Sequence, residues 1–225
     1  MQVVLIRHAH SEANAKALLS GRTPGVHLSS KGVAQAQELI TRLGSLKVAT
    51  LRISPLERCI ESITPWWENK GKKINPSTQL IRDENLNEVD YGEWSGKKLA
   101  VLSKKRLWQT VQNSPSSMYF PSGEGLAQMQ VRAMKAVYEA TSTKRKGAAV
   151  LVTHGDVIKS IVASALGMHL DTFQRLVIDP ASVSVLDFSG SKPRVLLLND
   201  SRANLESFLN APYRKANLLG GGGGV

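Results

Sequence analysis

The sequence has a single cysteine, Cys59, and no apolar run long enough to span a membrane. One thiol cannot form an intramolecular disulfide, and so low a count is compatible with a reducing cytoplasm. The sixth residue after Cys59 is Pro65 rather than arginine, so the phosphate-binding loop of cysteine-dependent phosphatases is absent. The first apolar run, Val3 to Ile6, is shorter than a signal peptide requires. We therefore expect a cytoplasmic protein with no membrane partner.

Acidic and aromatic residues are also scarce. The 18 Asp and Glu residues stand against 29 Lys and Arg residues, which gives a formal net charge of +11. This charge favours acidic partners such as phosphorylated metabolites, nucleic acids or anionic membranes. Only 5% of the residues are aromatic, so few side chains are available to stack on bases. This scarcity argues against nucleic acid as a partner.

Charged side chains follow the ends of three predicted strands. One run of β-branched and aliphatic residues ends in Arg7-His8, a second ends in His154-Gly155, and a third precedes a helix whose first turn holds Arg58. Ligands of open α/β sheets bind where the carboxyl ends of the strands meet, so we expect these side chains to lie together. Helix N-termini add unpaired N–H groups, and arginine can hold two phosphate oxygens at once. The sequence therefore predicts an anion site, most simply for a phosphoryl group.

The spacing of apolar residues predicts the elements around this site. Ser54-x-x-Glu57 is typical of a capping box that begins a helix at Pro55. The face of the second helix that carries Val33 and Ala36 is predicted to be buried. The predicted helices are 11–19, 30–43, 55–69, 126–140 and 155–166, and the predicted strands are 2–6, 50–53, 73–80, 148–152, 182–188 and 194–198.

The length of 225 residues is enough for one large α/β domain, and no internal segment has the composition of a linker. We predict a single domain over residues 1–198. Within it, the polar and basic segment at about 93–122 is predicted to be an insertion over the mouth of the site. Residues 199–225 have little to bury and include five consecutive glycines, so we predict a mobile C-terminal tail.

Several short blocks surround the charged residues. They are Arg7-His8 with Asn14, Gly21-Arg22 through Leu28-Ser29 to Gln35-Ala36, Ser54-Pro55-Leu56-Glu57-Arg58, Leu86-Asn87-Glu88 with Tyr91-Gly92, and Val152-Thr153-His154-Gly155. In this order, and over residues 2 to about 187, the blocks resemble those of the histidine phosphatase superfamily, the phosphoglycerate mutase-like proteins. Two residues of the first block depart from that family, since Ala9 replaces the usual Gly and His10 replaces Glu or Gln. The resemblance implies a three-layer α/β sandwich with a mostly parallel central sheet and helices on both faces.

The resemblance also implies a role for each charged residue. His8 would be the nucleophile, whose neutral imidazole attacks phosphorus and forms a phosphohistidine that water then hydrolyses. A hydrogen bond must hold its other nitrogen, so that the correct tautomer faces the substrate. Arg7, Arg58 and His154 would bind the phosphoryl oxygens and stabilise their charge. Glu88 would protonate the leaving oxygen and then activate water, for which desolvation must keep it partly protonated near neutral pH.

Further assignments stay open at the level of sequence. The carboxylates Asp83, Glu84 and Asp90 lie near Glu88 in the chain and are alternatives for the acid. No chemistry is assigned to the segment before Gly125, because that glycine stands where the family usually has Ser. Three residues would line the site and bind substrate by resemblance, with an ordinary capping or loop role as the alternative: Asn14, Arg22 and Ser11.

These assignments imply a phosphoric monoester hydrolase of the histidine acid phosphatase type, which needs no metal or cofactor and acts on a small phosphorylated metabolite. The alternative within the family is a mutase, an isomerase that returns the phosphoryl group to another oxygen of the substrate. Tyr91-Gly92-Glu93-Trp94-Ser95-Gly96 is more similar to the phosphatase branch than to the mutase branch. Only 65 residues separate Glu88 from His154, which leaves little room for the larger insertion of the mutases. Both features favour hydrolysis.

Two further hypotheses come from other classes of protein. A basic binding module with a vestigial site would use the lysine-rich clusters at 70–73, 97–98, 104–106 and 144–146. A zinc protein would use His8, His10 and His154 as ligands, but the neighbouring arginines would repel the metal. We therefore predict no metal, and we leave a homo-oligomer open.

Overall fold

The protein is built around one six-stranded sheet. Its strands are β1 (Gln2–Arg7), β2 (Val48–Ile53), β3 (Leu80–Arg82), β4 (Ala148–Thr153), β5 (Val183–Asp187) and β6 (Arg194–Asp200), in the order β3-β2-β4-β1-β5-β6. The first four strands of this order pair in parallel, and β5 and β6 are antiparallel to their neighbours. The sheet is therefore mostly parallel, as predicted. The computed structural model describes residues 1–202, and the predicted tail from residue 203 lies outside the described residues.

Helices cover both faces of the sheet. They are α1 (Glu12–Ala15), α2 (Ser30–Leu43), α3 (Glu57–Trp66), α4 (Lys72–Ile74), α5 (Leu99–Leu102), α6 (Arg106–Asn113), α7 (Leu126–Thr141) and α8 (Gly155–Ala165). Successive side chains of a strand point to opposite faces, so each strand supplies two cores. In β1, Val3 and Leu5 pack with α7 and α8, whereas Val4 and Ile6 pack with α2 and α3. The three-layer architecture is confirmed.

The register of the parallel strands brings their carboxyl ends to one edge. Arg7 of β1 lies opposite Thr153 of β4, and Ile53 of β2 lies opposite Val152 of β4. The chain therefore leaves all three strands at nearly the same level. The residues that follow the three strands converge there, as the sequence predicted.

The first two helices differ in detail from their predictions. Helix α1 is shorter than the predicted 11–19, because Ala17 has a left-handed φ of 49°, which a right-handed helix cannot contain. Helix α2 begins after its predicted cap, Ser29, whose hydroxyl accepts from Gly32 N at 3.2 Å. Its buried face is rotated from the predicted one, since Val33 is 52% exposed. Gly32 lies on this buried face, where the helix passes close to the main chain of His10. An added Cβ would lie 1.9 Å from the His10 carbonyl oxygen, so this position requires glycine.

Two predictions around α3 are wrong. Ser54 does not cap the helix, which begins at Glu57 with no side-chain cap, because the Ser54 hydroxyl bonds within the site instead. The predicted strand 73–80 is mostly not a strand. The helical path continues through Trp67–Gly71 and α4 to Ile74, and the edge strand β3 comes later, after the turn that contains Pro76.

The segment 93–122 contains α5, α6 and a 3₁₀ turn at Pro115–Ser117. Its aromatic side chains enter the core shared with α7 and α8, where the Trp94 and Trp108 rings stack with centroids 6.2 Å apart. The segment also bonds to the loop after α1, through Leu19 N to Lys97 O at 3.0 Å. That it is an insertion over the mouth of the site remains a prediction.

The last strand extends two residues beyond its predicted end at residue 198. β6 continues to Asp200, and the Asn199 side chain donates to Asp179 Oδ2 at 2.9 Å. The strand length was underestimated because Asn is uncommon in strands, and here its amide is paired within the fold. Within residues 1–202, no helix combines the length and the apolarity needed to cross a membrane.

Candidate active site

The structure brings together the five residues predicted to be catalytic. All are buried: Arg7, His8, Arg58, Glu88 and His154. The His8 and His154 rings meet edge to face with centroids 5.1 Å apart. Nδ1 of His154 lies 3.3 Å from Nη2 of Arg58 and 3.8 Å from Oε2 of Glu88. Two imidazoles, two guanidinium groups and one carboxyl group therefore form one buried cluster at the carboxyl ends of β1, β2 and β4.

One hydrogen bond fixes the His8 ring. Its Nδ1–H donates to the carbonyl oxygen of Ala9 at 2.7 Å, so Nε2 carries the lone pair. Burial lowers the pKa of His8 well below its usual value, and the charges of Arg58 and Arg7 lower it further. The ring is therefore neutral at physiological pH. Its Nε2 can attack an electrophile.

Ala9 fits its position without strain, since its φ is not in the left-handed region that favours the usual glycine. Its N–H donates to Ser62 Oγ at 2.7 Å, and the Ser62 hydroxyl donates to the Arg58 carbonyl at 2.6 Å. Ser62 thus ties the strand end that carries His8 to the helix that carries Arg58. Sequence analysis missed Ser62, whose one signal is its position one helical turn after Arg58.

His154 is also held in one tautomer. Arg58 can only donate, so Nδ1 of His154 accepts from Arg58 and Nε2–H donates to Ser54 Oγ at 2.9 Å. The Ser54 hydroxyl in turn donates to Asn87 Oδ1 at 3.1 Å. Burial and the charge of Arg58 lower the pKa of His154 well below its usual value. Both imidazoles of the site are therefore neutral.

Arg58 carries donors that the folded chain leaves unused. Its Nη2 donates to the carbonyl oxygen of Gly21 at 2.8 Å, while Nε and Nη1 are buried and have no hydrogen-bond partner within residues 1–202. Buried donors without acceptors are unfavourable, and phosphoryl oxygens are suitable acceptors for a guanidinium group. Arg7 lies at the carboxyl end of β1, where its Nη1 donates to Ile178 O at 2.6 Å. The site therefore fits an oxyanion.

Of the four carboxylates considered as the acid, Glu88 is the one whose side chain contacts His154, at 3.8 Å. Burial raises its pKa to about 7, with a further contribution from the charge of Asp156, while Arg58 and Arg7 act in the opposite direction. Its Oε1 accepts from Val89 N at 3.0 Å. A carboxyl group with this pKa can both donate and accept a proton near neutral pH.

The three alternative acids are engaged elsewhere. Asp83 pairs with Arg52 at 2.5 Å, Glu84 accepts from the Asn87 amide, and Asp90 accepts from Gly92 N at 3.0 Å. None of these contacts involves the two imidazoles. Their positions favour Glu88 as the acid of the site.

Ser11, Asn14 and Arg22 make structural contacts. Ser11 caps α1, and its N–H and Oγ both donate to Asn14 Oδ1 at 2.9 Å. The Asn14 Nδ2 amide has no hydrogen-bond partner in the described part of the chain, so it remains a donor for a ligand. Arg22 Nε donates to the Glu88 carbonyl oxygen at 3.0 Å. Their predicted contact with substrate therefore remains a prediction.

Sequence analysis also missed the support beneath Glu88. Arg132 on α7 donates to the Glu88 carbonyl at 3.1 Å, and Glu124 binds Arg132 at 2.6 Å and Arg22 at 3.0 Å. Glu124 therefore holds together the two arginines that fix the main chain of Glu88. The one signal was Ser122-Gly123-Glu124, which resembles the family's Gly-Glu-Ser block and was given no chemistry because Gly125 replaces its Ser; nothing in the sequence marked Arg132.

His10 faces away from the cluster, and its Nδ1 lies 2.8 Å from the hydroxyl oxygen of Ser29, the cap of α2. The His-x-His pair therefore does not converge on one ion. No group of three or more His, Cys, Asp or Glu side chains within residues 1–202 is arranged to hold a metal. The zinc hypothesis has no support in this geometry.

The family model of the histidine phosphatase superfamily (branch 1) matches residues 3–201. The chain is 27% identical over 207 residues to phosphoserine phosphatase 1 of Hydrogenobacter thermophilus, covering 88% of this chain and 92% of that protein. It is 26% identical over 194 residues to the 2,3-bisphosphoglycerate-dependent phosphoglycerate mutase of Thermoplasma acidophilum, covering 82% and 86%. The crystal structure of the alpha-ribazole phosphatase from Shigella flexneri superposes with a TM-score of 0.77 at 23% identity, covering 90% and 98%. The chain belongs to the histidine phosphatase superfamily.

Proposed function

We propose that the protein hydrolyses a small phosphate monoester through a phosphohistidine on His8, without a metal or cofactor. The observation that carries this proposal is the locked His8 ring, whose Nδ1–H is held by the Ala9 carbonyl at 2.7 Å beside the buried guanidinium group of Arg58. The ring is neutral and oriented, and cationic donors surround the position of the phosphoryl group. The two other candidate nucleophiles among residues 1–202 are less suitable, since the Nδ1 lone pair of His154 accepts from Arg58 and burial raises the pKa of the Cys59 thiol to about 12.

In the first step, Nε2 of His8 attacks phosphorus and the ester P–O bond breaks. Protonated Glu88 transfers its proton to the leaving oxygen, and the product is an alcohol. The His8 ring gains positive charge, which its Nδ1–H bond to the Ala9 carbonyl stabilises. Arg7 and Arg58 bind the phosphoryl oxygens, whose charge grows in the transition state.

In the second step, the Glu88 carboxylate accepts a proton from water, which attacks phosphorus as the N–P bond breaks. Inorganic phosphate leaves, and both His8 and Glu88 return to their starting forms. Glu88 therefore acts first as an acid and then as a base. A pKa of about 7 suits both roles.

His154 is neutral in the free protein but binds the phosphoryl group in its protonated form. In the neutral tautomer its Nδ1 accepts from Arg58, so it has no proton to offer a phosphoryl oxygen. A bound dianion favours the charged ring and raises its pKa. We therefore infer that substrate binding is accompanied by proton uptake at Nδ1 of His154.

Hydrolysis is favoured over mutase transfer by the short distance in sequence between Glu88 and His154. Some relatives are named as phosphatases and others as mutases. Each name describes the activity of that relative. The relative that acts on phosphoserine makes this ester a suitable first member of a substrate panel. Action in the cytoplasm and assembly into a homo-oligomer remain predictions.

The proposal is tested by release of inorganic phosphate from a panel of phosphoserine, sugar phosphates, phosphoglycerates and nucleotides, in the presence of a chelator. We expect turnover by the wild type and by His169→Ala, since the side chain of His169 is 69% exposed and pairs with Asp171. We expect none by His8→Ala. Phosphate release by His8→Ala would refute the mechanism. Isomerisation of a phosphoglycerate without phosphate release would establish the mutase instead.

A further inference from the structure

Four buried polar side chains form a connected network next to Glu88. The Tyr91 hydroxyl donates to Asp156 Oδ2 at 2.9 Å, Lys159 Nζ lies 3.4 Å from Asp156 Oδ1, and Lys159 Nζ donates to Gln174 Oε1 at 3.0 Å. The side chains of Asp156 and Lys159 are fully buried, and Tyr91 is 1% exposed. The mechanism proposed above uses none of these residues.

Such a network is an unusual choice for a structural core. Burying an ion pair removes two charges from water, and apolar residues of similar volume often stabilise a core equally well. Asp156 lies in the first turn of α8, where the helix dipole favours a negative charge. Its position is therefore favourable for a negative charge inside the protein.

The network lies between two catalytic groups. Tyr91 belongs to the loop that carries Glu88, three residues earlier, and Asp156 follows His154 by two residues on α8. The hydrogen bond between Tyr91 and Asp156 therefore joins the loop of the acid to the helix that follows the second imidazole. The charge of Asp156 acts on the Glu88 pKa in the direction opposite to that of the arginines.

We propose that Asp156 is a positioning residue for Glu88: its buried carboxylate accepts from the Tyr91 hydroxyl and so anchors the loop that carries the acid, on which its charge also acts. This inference rests on the proposed function, in which Glu88 is the acid. The pKa of Glu88 is raised first by burial and then by Asp156. Lys159 offsets part of the Asp156 charge and holds its carboxylate in place.

Every element around Glu88 contributes a charged or titratable group. Arg7 at the end of β1 and Arg58 on α3 lower the pKa of Glu88, and His154 after β4 is neutral. Arg132 on α7 contacts the main-chain oxygen of Glu88, and Tyr91 belongs to its own loop. Asp156 is the carboxylate that offsets the two arginines. Removing its charge should make Glu88 lose its proton at lower pH.

The test compares the wild type with Asp156→Asn, Tyr91→Phe and the control Ser160→Ala. Asp156→Asn keeps the size of the side chain and an acceptor for Tyr91 but removes the charge. Tyr91→Phe keeps the charge but removes the donor that partly neutralises it. Ser160 is buried on the same helix and donates to Val157 O at 2.8 Å, within its own turn. The readouts are the basic limb of the pH profile of kcat/KM and the ionisation midpoint of the Glu88 carboxyl carbon by ¹³C NMR.

We expect Asp156→Asn to move both midpoints down by about one pH unit. Tyr91→Phe should move them upward, and Ser160→Ala should leave them unchanged. Unshifted midpoints in Asp156→Asn overturn the inference, and if that variant does not fold, an unshifted or lowered midpoint in Tyr91→Phe overturns it. Absence of phosphate release by the wild type would refute the proposed function alone, because the NMR midpoints still test the coupling of Asp156 to Glu88.

Discussion

His154 donates from Nε2 to the hydroxyl oxygen of Ser54 at 2.9 Å, and this bond leaves Nδ1 facing Arg58 and Glu88. Ser54 was predicted to cap a helix. In the structure the Ser54 hydroxyl instead accepts from His154, and it donates its own proton to Asn87 Oδ1. The orientation of His154 therefore depends on Ser54, a residue to which no chemistry was assigned.

The first prediction concerns this contact. Ser54→Ala removes the acceptor for Nε2–H, so both tautomers of His154 become accessible. A lost hydrogen bond of this kind is worth about 1–2 kcal/mol, so we expect kcat to fall roughly 5- to 30-fold with little change in KM. Steady-state kinetics measure kcat and KM separately and so test this prediction. Ser103→Ala, at the half-buried serine that caps the C-terminus of α5 and bonds one turn back to Ala100 O, should retain wild-type kcat. A rise in KM alone would contradict the role of Ser54.

The second prediction concerns pH. Because the pKa of Glu88 is raised to about 7, its protonated form is present below about pH 7 and is lost above it. The first step requires this form, so kcat/KM for alkyl phosphates should fall as pH rises through about 7. Glu88→Gln should lose roughly 10²- to 10⁴-fold in kcat for alkyl esters.

The leaving group provides the control for that prediction. A nitrophenyl ester leaves without protonation, so the first step in Glu88→Gln should lose far less rate with this ester than with an alkyl ester. The amplitude and rate of a nitrophenol burst measure this step. An equal loss with both esters would show that Glu88 is not the acid.

The third prediction concerns Ser62, which joins Ala9 to the Arg58 carbonyl. Ser62→Ala leaves the buried Ala9 N–H without its acceptor, which should lower the free energy of unfolding by roughly 1–3 kcal/mol. Thr64→Ala on the same helix is the matched control, because the Thr64 hydroxyl also donates one turn back, at 2.7 Å, but is exposed. Urea denaturation measures both. Equal effects of the two substitutions would contradict a linking role for Ser62.

The fourth prediction concerns Gly32, where α2 meets the loop after β1. The Cβ of Gly32→Ala would lie 1.9 Å from the His10 carbonyl oxygen, so the helix and the loop that follows His8 must separate. We expect a loss of roughly 1–3 kcal/mol in the free energy of unfolding, together with lower kcat. At Gly190 an added Cβ would approach no atom closer than 3.8 Å, so Gly190→Ala should be neutral. Thermal unfolding of the two variants measures both effects, and equal stability of the two would contradict this prediction.

The sequence was sufficient to locate the catalytic cluster because its residues occupy strand ends. Arg7, His8 and His154 follow aliphatic runs directly, and parallel pairing brings such ends together whatever the loops do. Glu88 was found through its block, although three carboxylates nearby were alternatives. Only the structure shows that Glu88 faces His154 while Asp83 pairs with Arg52.

The residues that support the cluster could not be predicted. Ser62 meets Ala9 across 53 positions of sequence, and Arg132 meets the Glu88 carbonyl across 44. Such contacts depend on how helices pack on the sheet, which local periodicity does not specify. Similarly, the predicted strand at 73–80 was wrong because the helical path from α3 continues to Ile74 before the chain turns. Tertiary contacts therefore determine both the residues that support the cluster and the point at which this helical path ends.

The central claim is that His8 carries the phosphoryl group during turnover. Rapid quenching with a ³²P-labelled ester, followed by peptide mapping under alkaline conditions that preserve phosphohistidine, tests it directly. The account predicts acid-labile label on the peptide that contains His8, and none in His8→Ala. Label on another residue, or turnover in a single step with no labelled protein, would contradict it.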